Sequence, residues 1–254
     1  MVISGLTLVV VLAALYTVLG IGMNMSALTM TRMAIEMPGM AMQQMAWSTS
    51  YAVLVFLMWW LMMMIAMMAP SAAPMVLMHA AVGRKQTPVR PLVATALFVI
   101  GYLVVWAGFS LMATTLQWGL GSMDIVSGMM TIASPAIAGL VLIAAGLYQL
   151  TPLKEACLKH CQHPLIFIVH HWRPGRVGAF RMGIEHGRYC VGCCWFLMAL
   201  LFVGGIMNLI WIAGIAIYVG IEKFTAGRRW LRIASGVALT TAGVLIVAGS
   251  LFDA

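Results

Sequence analysis

The sequence predicts an all-α fold: a polytopic integral membrane helical bundle with about six transmembrane helices. Three observations predict it. Hydrophobic residues make up 63% of the 254 residues and charged residues only 8%, far from the near-half apolar and quarter charged composition of soluble domains. Apolar runs of about 20 residues, the length a helix needs to cross hydrocarbon, recur along the chain. The runs are also continuous, without the short alternating segments of an outer-membrane barrel. The whole chain, 1–254, therefore reads as a single transmembrane domain.

The first run, Gly5 to Met23, carries no charge. It lacks a basic leader region and a small-residue cleavage site, so it reads as a retained span. Residues 24–49 follow as a Met-rich outer loop. In "TMTRMAIEMPGMAMQQM", Met30, Met33 and Met37 keep helical spacing until Pro38 and Gly39 end the helix, leaving Met40, Met42 and Met45 beyond it. The second run, Ser50 to Met78, pairs Met58 with Met62, Met63 with Met67 and Met64 with Met68, each four apart and so stacked on an α-helix. Pro70 and Pro74 predict a kink or break near its end, with His79 just beyond at the interface. A broken span is tolerated only where protein or water satisfies the freed backbone groups, which makes this segment a candidate cavity wall.

The third run is Leu92 to Leu116 and the fourth Thr131 to Leu150. Residues 151–190 then form a basic Cys/His-rich loop, in which "PLIFIVHHW" predicts a short interfacial helix ended by Pro174 and Gly175. The fifth run is Trp195 to Val219 and the sixth Ile233 to Leu251. Asn208 is expected to hydrogen-bond a neighbouring helix. Glu222 and Lys223 are expected to mark a helix end at the interface.

The net charge of +8 reports orientation in such a chain. Arg84, Lys85 and Arg90 fall between runs two and three, and Lys154, Lys159, Arg173, Arg176, Arg181 and Arg188 between four and five. The positive-inside rule puts both connections in the cytoplasm, together with both termini, in a multi-pass protein of a bacterial inner (plasma) membrane. Lys223, Arg228, Arg229 and Arg232 disagree, since six spans would put them outside. These cations are assigned to topology and to headgroups of the lipid bilayer, with no nucleic acid partner. Ionisable residues are nearly absent from the runs, against a proton-driven pump, and no nucleotide-binding motif of an ATP-driven pump is present.

The five cysteines cluster on one predicted side. Cys157 and Cys161 are four apart, as are Cys190, Cys194 and Met198, and Cys190 with Cys193 forms C-x-x-C, a spacing for one metal or a redox pair. Five is an odd number for a disulfide framework, and the compartment is expected to be reducing. Thioether and thiolate sulfur select Cu(I), and 24 methionines exceed gap-filling use. The candidate metal ligands are Cys157, Cys161, Cys190, Cys193, Cys194, Met198, Met64, Met68 and His163. His160, His170, His171 and His186 are read as solvated loop residues. Zinc held by paired thiolates stays open, and no catalytic residue stands out.

With "MMMIAMMAPSAAP" in the second run, "YQLTPLKEACLKHC" from Tyr148 to Cys161, and "GRYCVGCCWFLMALLFVGGIMNLIW" followed by "EK" at Glu222, the chain resembles a Cys- and Met-rich bacterial family described as predicted metal-binding integral membrane proteins. The resemblance implies a multi-span protein that binds a metal through Cys157, Cys161, Cys190, Cys193 and Cys194. Copper follows from the sulfur chemistry. The leading expectation is Cu(I) binding, transport or delivery, with a copper chaperone or a membrane cuproenzyme as partner. A membrane oxidoreductase using a Cys pair or copper, and a zinc-clamped structural protein, are the alternatives.

Overall fold

The computed structural model describes residues 26–36, 47–86, 91–127, 130–225 and 228–252, together with Leu8, Val11, Leu12, Leu15 and Leu19. Most of the first apolar run, and Met37, Met40, Met42 and Met45 of the outer loop, lie outside the described residues. Among the described residues the protein is all-helical, and extended pairing is limited to one bridge between Val126 and Ile132. The elements are α1 (Ala27–Glu36), α2 (Thr49–Trp59), a π-helix (Trp60–Met68), α3 (Ala69–Gln86), α4 (Pro91–Ser122), α5 (Pro135–Leu150), α6 (Pro152–Gln162), α7 (Pro164–His171), α8 (Gly175–Ala199), α9 (Leu201–Gly204), α10 (Leu209–Phe224) and α11 (Arg229–Phe252). Three stretches among them are long and apolar enough to cross a membrane: Leu92–Ser122, Gly175–Gly204 and Arg229–Phe252. A fourth is added if α5 and α6, bent by 65°, count as one.

The second apolar run stays helical through both prolines, so the expected break does not occur. Pro70 lies in the first turn of α3 and Pro74 inside it. A helical proline crowds the carbonyl four residues back, and for Pro70 that carbonyl belongs to the wider π-helix. The π-helix also changes the methionine register. Its hydrogen bonds run from i to i+5, so the pairing moves from four apart towards five, bringing Met62 over Met67 and Met63 over Met68. All four are buried.

The segment read as a loop, 151–190, is helical almost throughout. Thr151 ends α5 in an extended conformation and caps α6, its side chain accepting from the Lys154 N–H at 3.3 Å, with Pro152 preset for the first helical position. The helix over "PLIFIVHHW" is α7. Gly175, at φ +82°, then starts α8, which begins there rather than at Trp195. Cys190, Cys193 and Cys194 consequently sit deep within a helix instead of at its mouth.

The fifth apolar run takes in the end of α8, the short α9 and most of α10, and it is broken at Gly205. Gly205 takes φ +95°, a left-handed conformation that glycine adopts without steric cost. Asn208 caps α10 by accepting from the Ile210 N–H at 3.1 Å, in place of the expected bond to another helix. The Phe202 carbonyl freed by the break accepts from the Ile132 N–H at 2.7 Å. Chain direction therefore reverses, and α10 returns beside α8 until Lys223 reaches Cys190. This brings the dissenting basic group back to the others: Arg232 pairs with Glu155 of α6 at 2.7 Å and donates to the Thr151 carbonyl at 3.0 Å.

Close helix contacts rest on glycine. A β-carbon on Gly139 would meet the Gly243 carbonyl at 2.8 Å, and one on Gly146 the Gly236 carbonyl at 2.7 Å. These two contacts make α5 and α11 antiparallel and let their backbones touch, the small-residue packing of membrane helices. Gly183 of α8 lies in the same way against the Phe98 carbonyl of α4. Gly249 has nothing within 4 Å of its β-position. Gly146→Leu should therefore lower stability by about 1–3 kcal/mol, the usual cost of overpacking, while Gly249→Leu should leave the thermal unfolding midpoint unchanged in detergent.

Candidate metal centre

Helix α8 presents Cys190, Cys193 and Cys194 on one face, exposed by 0%, 2% and 1%. The Cys193 and Cys194 thiols both donate to the Cys190 carbonyl, at 3.1 and 3.0 Å. Across from them, Cys161 of α6 packs against the buried core that contains Cys190, Cys193 and Cys194. Cys157, one turn earlier and half-buried, packs against the Gly192 backbone, where a β-carbon would lie 2.8 Å from its sulfur. Tyr148 donates to the Gly192 carbonyl on the same patch.

Two further segments close the other side. Met68, at the end of the π-helix, places its Sδ 3.8 Å from the Cys194 Sγ. Lys223 of α10 is buried, and its ammonium lies 3.1 Å from the Cys190 Sγ, 2.9 Å from the Ser71 hydroxyl and 3.9 Å from the Met68 Sδ. The Tyr102 hydroxyl of α4 is 3.2 Å from the Cys190 Sγ. Soft sulfur is thus gathered around a buried ammonium. Among the described residues, no three His, Cys, Asp or Glu side chains are set in a geometry that could hold a metal ion. The donor types fit a soft monovalent metal, and the internal cation stands where such an ion's positive charge would be balanced by sulfur.

The expected stripe of Cys190, Cys194 and Met198 is longer than the sequence reading allowed. Because α8 starts at Gly175, His186 joins it one turn before Cys190, giving four residues spaced by four and all buried. His186, a solvated loop residue on the sequence reading, is buried because the helix already runs from Gly175. Met198 is packed in the same core. Met64 lies in the π-helix, but its side chain is outside the described ones. His163 is not brought to the thiols: it is exposed, caps the junction of α6 and α7, and faces a separate cavity. His79 is a core residue, stacked on Phe98 at 4.7 Å between ring centres.

Glu222 and Lys223, expected at an interface, are both buried, and they do different work. Glu222 accepts from the fully buried Lys154 of α6 at 2.7 Å and from the Tyr218 hydroxyl at 2.7 Å. Gln149 completes the ammonium's shell. The Gln162 amide at the other end of α6 donates to the Glu222 carbonyl at 2.8 Å. The helix carrying Cys157 and Cys161 is thereby tied to α10 on both sides of the two thiols. Glu222→Gln should strand the Lys154 charge and cost about 3–5 kcal/mol, whereas Lys154→Met with Glu222→Leu should restore most of the loss; thermal unfolding in detergent would measure both.

No curated protein and no solved structure matches the chain. One family model does, over residues 56–246, from α2 well into α11. Its description is copper chaperone, under the name PpoB2. The match takes in Met68, all five cysteines and Lys223, and over most of its length this chain belongs to the PpoB2 copper chaperone family.

Proposed function

We propose that this protein is a membrane-embedded Cu(I) chaperone that holds copper between α6 and α8 and hands it to a membrane cuproenzyme. One observation carries the reading: Cys190 and the Met68 thioether meet Lys223, Cys194 meets Met68, and Cys193 and Cys161 pack in the same core. Cu(I) would bind two or more of Cys161, Cys190, Cys193 and Cys194, with Cys157, Met68 and Met198 next in reach. Each Cu–S bond to a thiol replaces an S–H bond, and the proton leaves to solvent. Two thiolates on one Cu(I) leave a net negative charge, which the Lys223 ammonium offsets without leaving the site. Buried Met58, Met62, Met63, Met67 and Met68 form a thioether column that needs no deprotonation.

The membrane setting belongs to the same proposal. The long helices expose apolar side chains such as Val104, Leu111, Val244 and Leu245, and a lipid bilayer is the medium that suits them. The return of α10 adds a pass to the six expected, and it gathers every basic loop on one face, which we assign to the cytoplasm of a bacterial plasma membrane. Helix α11 then carries the C-terminus to the opposite face. Met30 of α1 packs near the start of α10, about 20 Å from Lys223 at 1.5 Å per residue. Met30 and the thiols thus lie at opposite ends of the thioether column.

Metal analysis of anaerobically purified protein offered copper and zinc tests the reading. Copper should be retained through desalting, and its sulfur-bound fraction should be lost in Cys190→Ser/Cys194→Ser, with helix content unchanged; zinc alone, or sulfur-bound copper unaffected by that change, would overturn it. Met68→Leu keeps volume and lipophilicity, and should weaken Cu(I) binding about tenfold, or about 1.4 kcal/mol, in chelator competition. Affinity should also rise with pH, since bound thiols must lose protons. A site made of thioethers alone would show no such slope.

A further inference from the structure

A cavity of about 680 Å³ opens between α6, α7 and the start of α11, and His160, His163, His170 and His171 line it. The thiol centre uses none of them. Three of the four have Nδ1 on the carbonyl four residues back, His170 on that of Ile166 at 2.9 Å, and two of these, His160 and His171, are also stacked on a neighbouring aromatic ring. His160 has its Nδ1 2.8 Å from the Ala156 carbonyl and its ring stacked on Tyr189, 4.0 Å between centres and 1° from parallel. His171 has its Nδ1 3.0 Å from the Phe167 carbonyl and its ring stacked on Phe167 at 4.5 Å.

A carbonyl can only accept, so each Nδ1 carries the proton and each Nε2 is left with its lone pair. Backbone carbonyls that fix the tautomer in this way are the usual outer partners of metal-binding histidines. The two ring centres are 6.1 Å apart. An ion about 2 Å from each Nε2 would lie about 3 Å from each ring centre, so two imidazoles sharing one ion span this separation.

A buried residue connects this pair to the thiols. His186 is 3% exposed, and its Nδ1 has no hydrogen-bond partner. Its ring centre is 5.5 Å from that of Phe167, which stacks on His171, and 5.7 Å from that of Tyr102, whose hydroxyl meets Cys190. In sequence it stands one helical turn before Cys190. A buried imidazole nitrogen left unpaired loses the hydrogen bond that burial normally requires, and a passing metal ion would supply a partner.

We propose that His160 and His171 form a second copper site, a two-imidazole intake, and that His186 passes the ion from it to Cys190. This rests on the copper-handling reading above. Imidazole binds copper, and with no third ligand converging the pair suits a transient stop instead of storage. Lys159 and Arg229 on the rim are 64% and 72% exposed, which suits copper arriving as an anionic cuprous thiolate complex. Transfer is ligand exchange only: imidazole replaces the carrier thiolate, the carrier leaves as thiolate or thiol, and copper stays Cu(I).

Two measurements test this. A variant with all five cysteines changed to Ser should still bind added Cu(I), more weakly, with nitrogen in its X-ray absorption shell, and adding His160→Ala and His171→Ala should remove that nitrogen. In the chain with its cysteines intact, His160→Ala/His171→Ala should keep the sulfur-bound copper at equilibrium but slow loading from the cuprous glutathione complex by about tenfold or more. His186→Phe should slow loading while both end sites remain. Loading at the wild-type rate in these histidine variants overturns the proposal, even if the cysteine-free variant does not fold. Wild-type protein that binds no copper overturns the copper reading itself.

Discussion

A buried charge must find a partner, and in this protein that constraint fixes where α10 lies. Glu222 and Lys223 are adjacent in sequence, and both end up inside the protein. Glu222 meets Lys154 of α6, and Lys223 meets the sulfur of Cys190 in α8 and the hydroxyl of Ser71 in α3. Without the reversal at Gly205 neither would have a partner, and each ion would carry a desolvation cost of several kcal/mol. One turn of one helix thus joins the segments that bear the candidate ligands.

The same contacts explain why the sulfur site is gathered yet not shaped like a finished metal site. Thiols that donate to a backbone carbonyl, beside one that accepts from an ammonium, are satisfied as they stand. A preformed cage would hold copper too firmly for a protein whose family is described as chaperones. In the proposed loaded state the Lys223 ammonium stays in place and offsets the negative charge that two thiolates on one Cu(I) leave. The π-helix fits this picture, since such segments mark functional positions in helices, and here it sets Met68 against Cys194 while making room ahead of Pro70.

Rigid framing surrounds this softer centre. Glycine contacts bring α5 against α11 and α4 against α8 at backbone distance. Such packing has little slack, so the exchange of ligands is left to side chains on α6, α8 and α10. The cavity beside α6 lies within that frame, lined by basic residues and histidines that the folded chain draws from three helices.

The sequence by itself determined the helical class, the soft-ligand chemistry and the sulfur stripe, because composition and four-residue spacing are local properties. It placed Cys190, Cys194 and Met198 on one face for that reason. It missed His186 because polar residues from Arg176 to Arg188 resemble a loop when only hydropathy is read, although neighbouring helices bury one side of them. It named His163 for its nearness to Cys161 in the chain, and the fold places that ring at the junction of α6 and α7, facing a separate cavity. The tertiary structure alone decided that the fifth apolar run is a hairpin, that Arg232 returns to Glu155 of α6, and that Lys223 stands among the thiols. Those facts depend on partners far apart in sequence, and only the cost of leaving a charge or a carbonyl unpaired in a low-dielectric interior selects them.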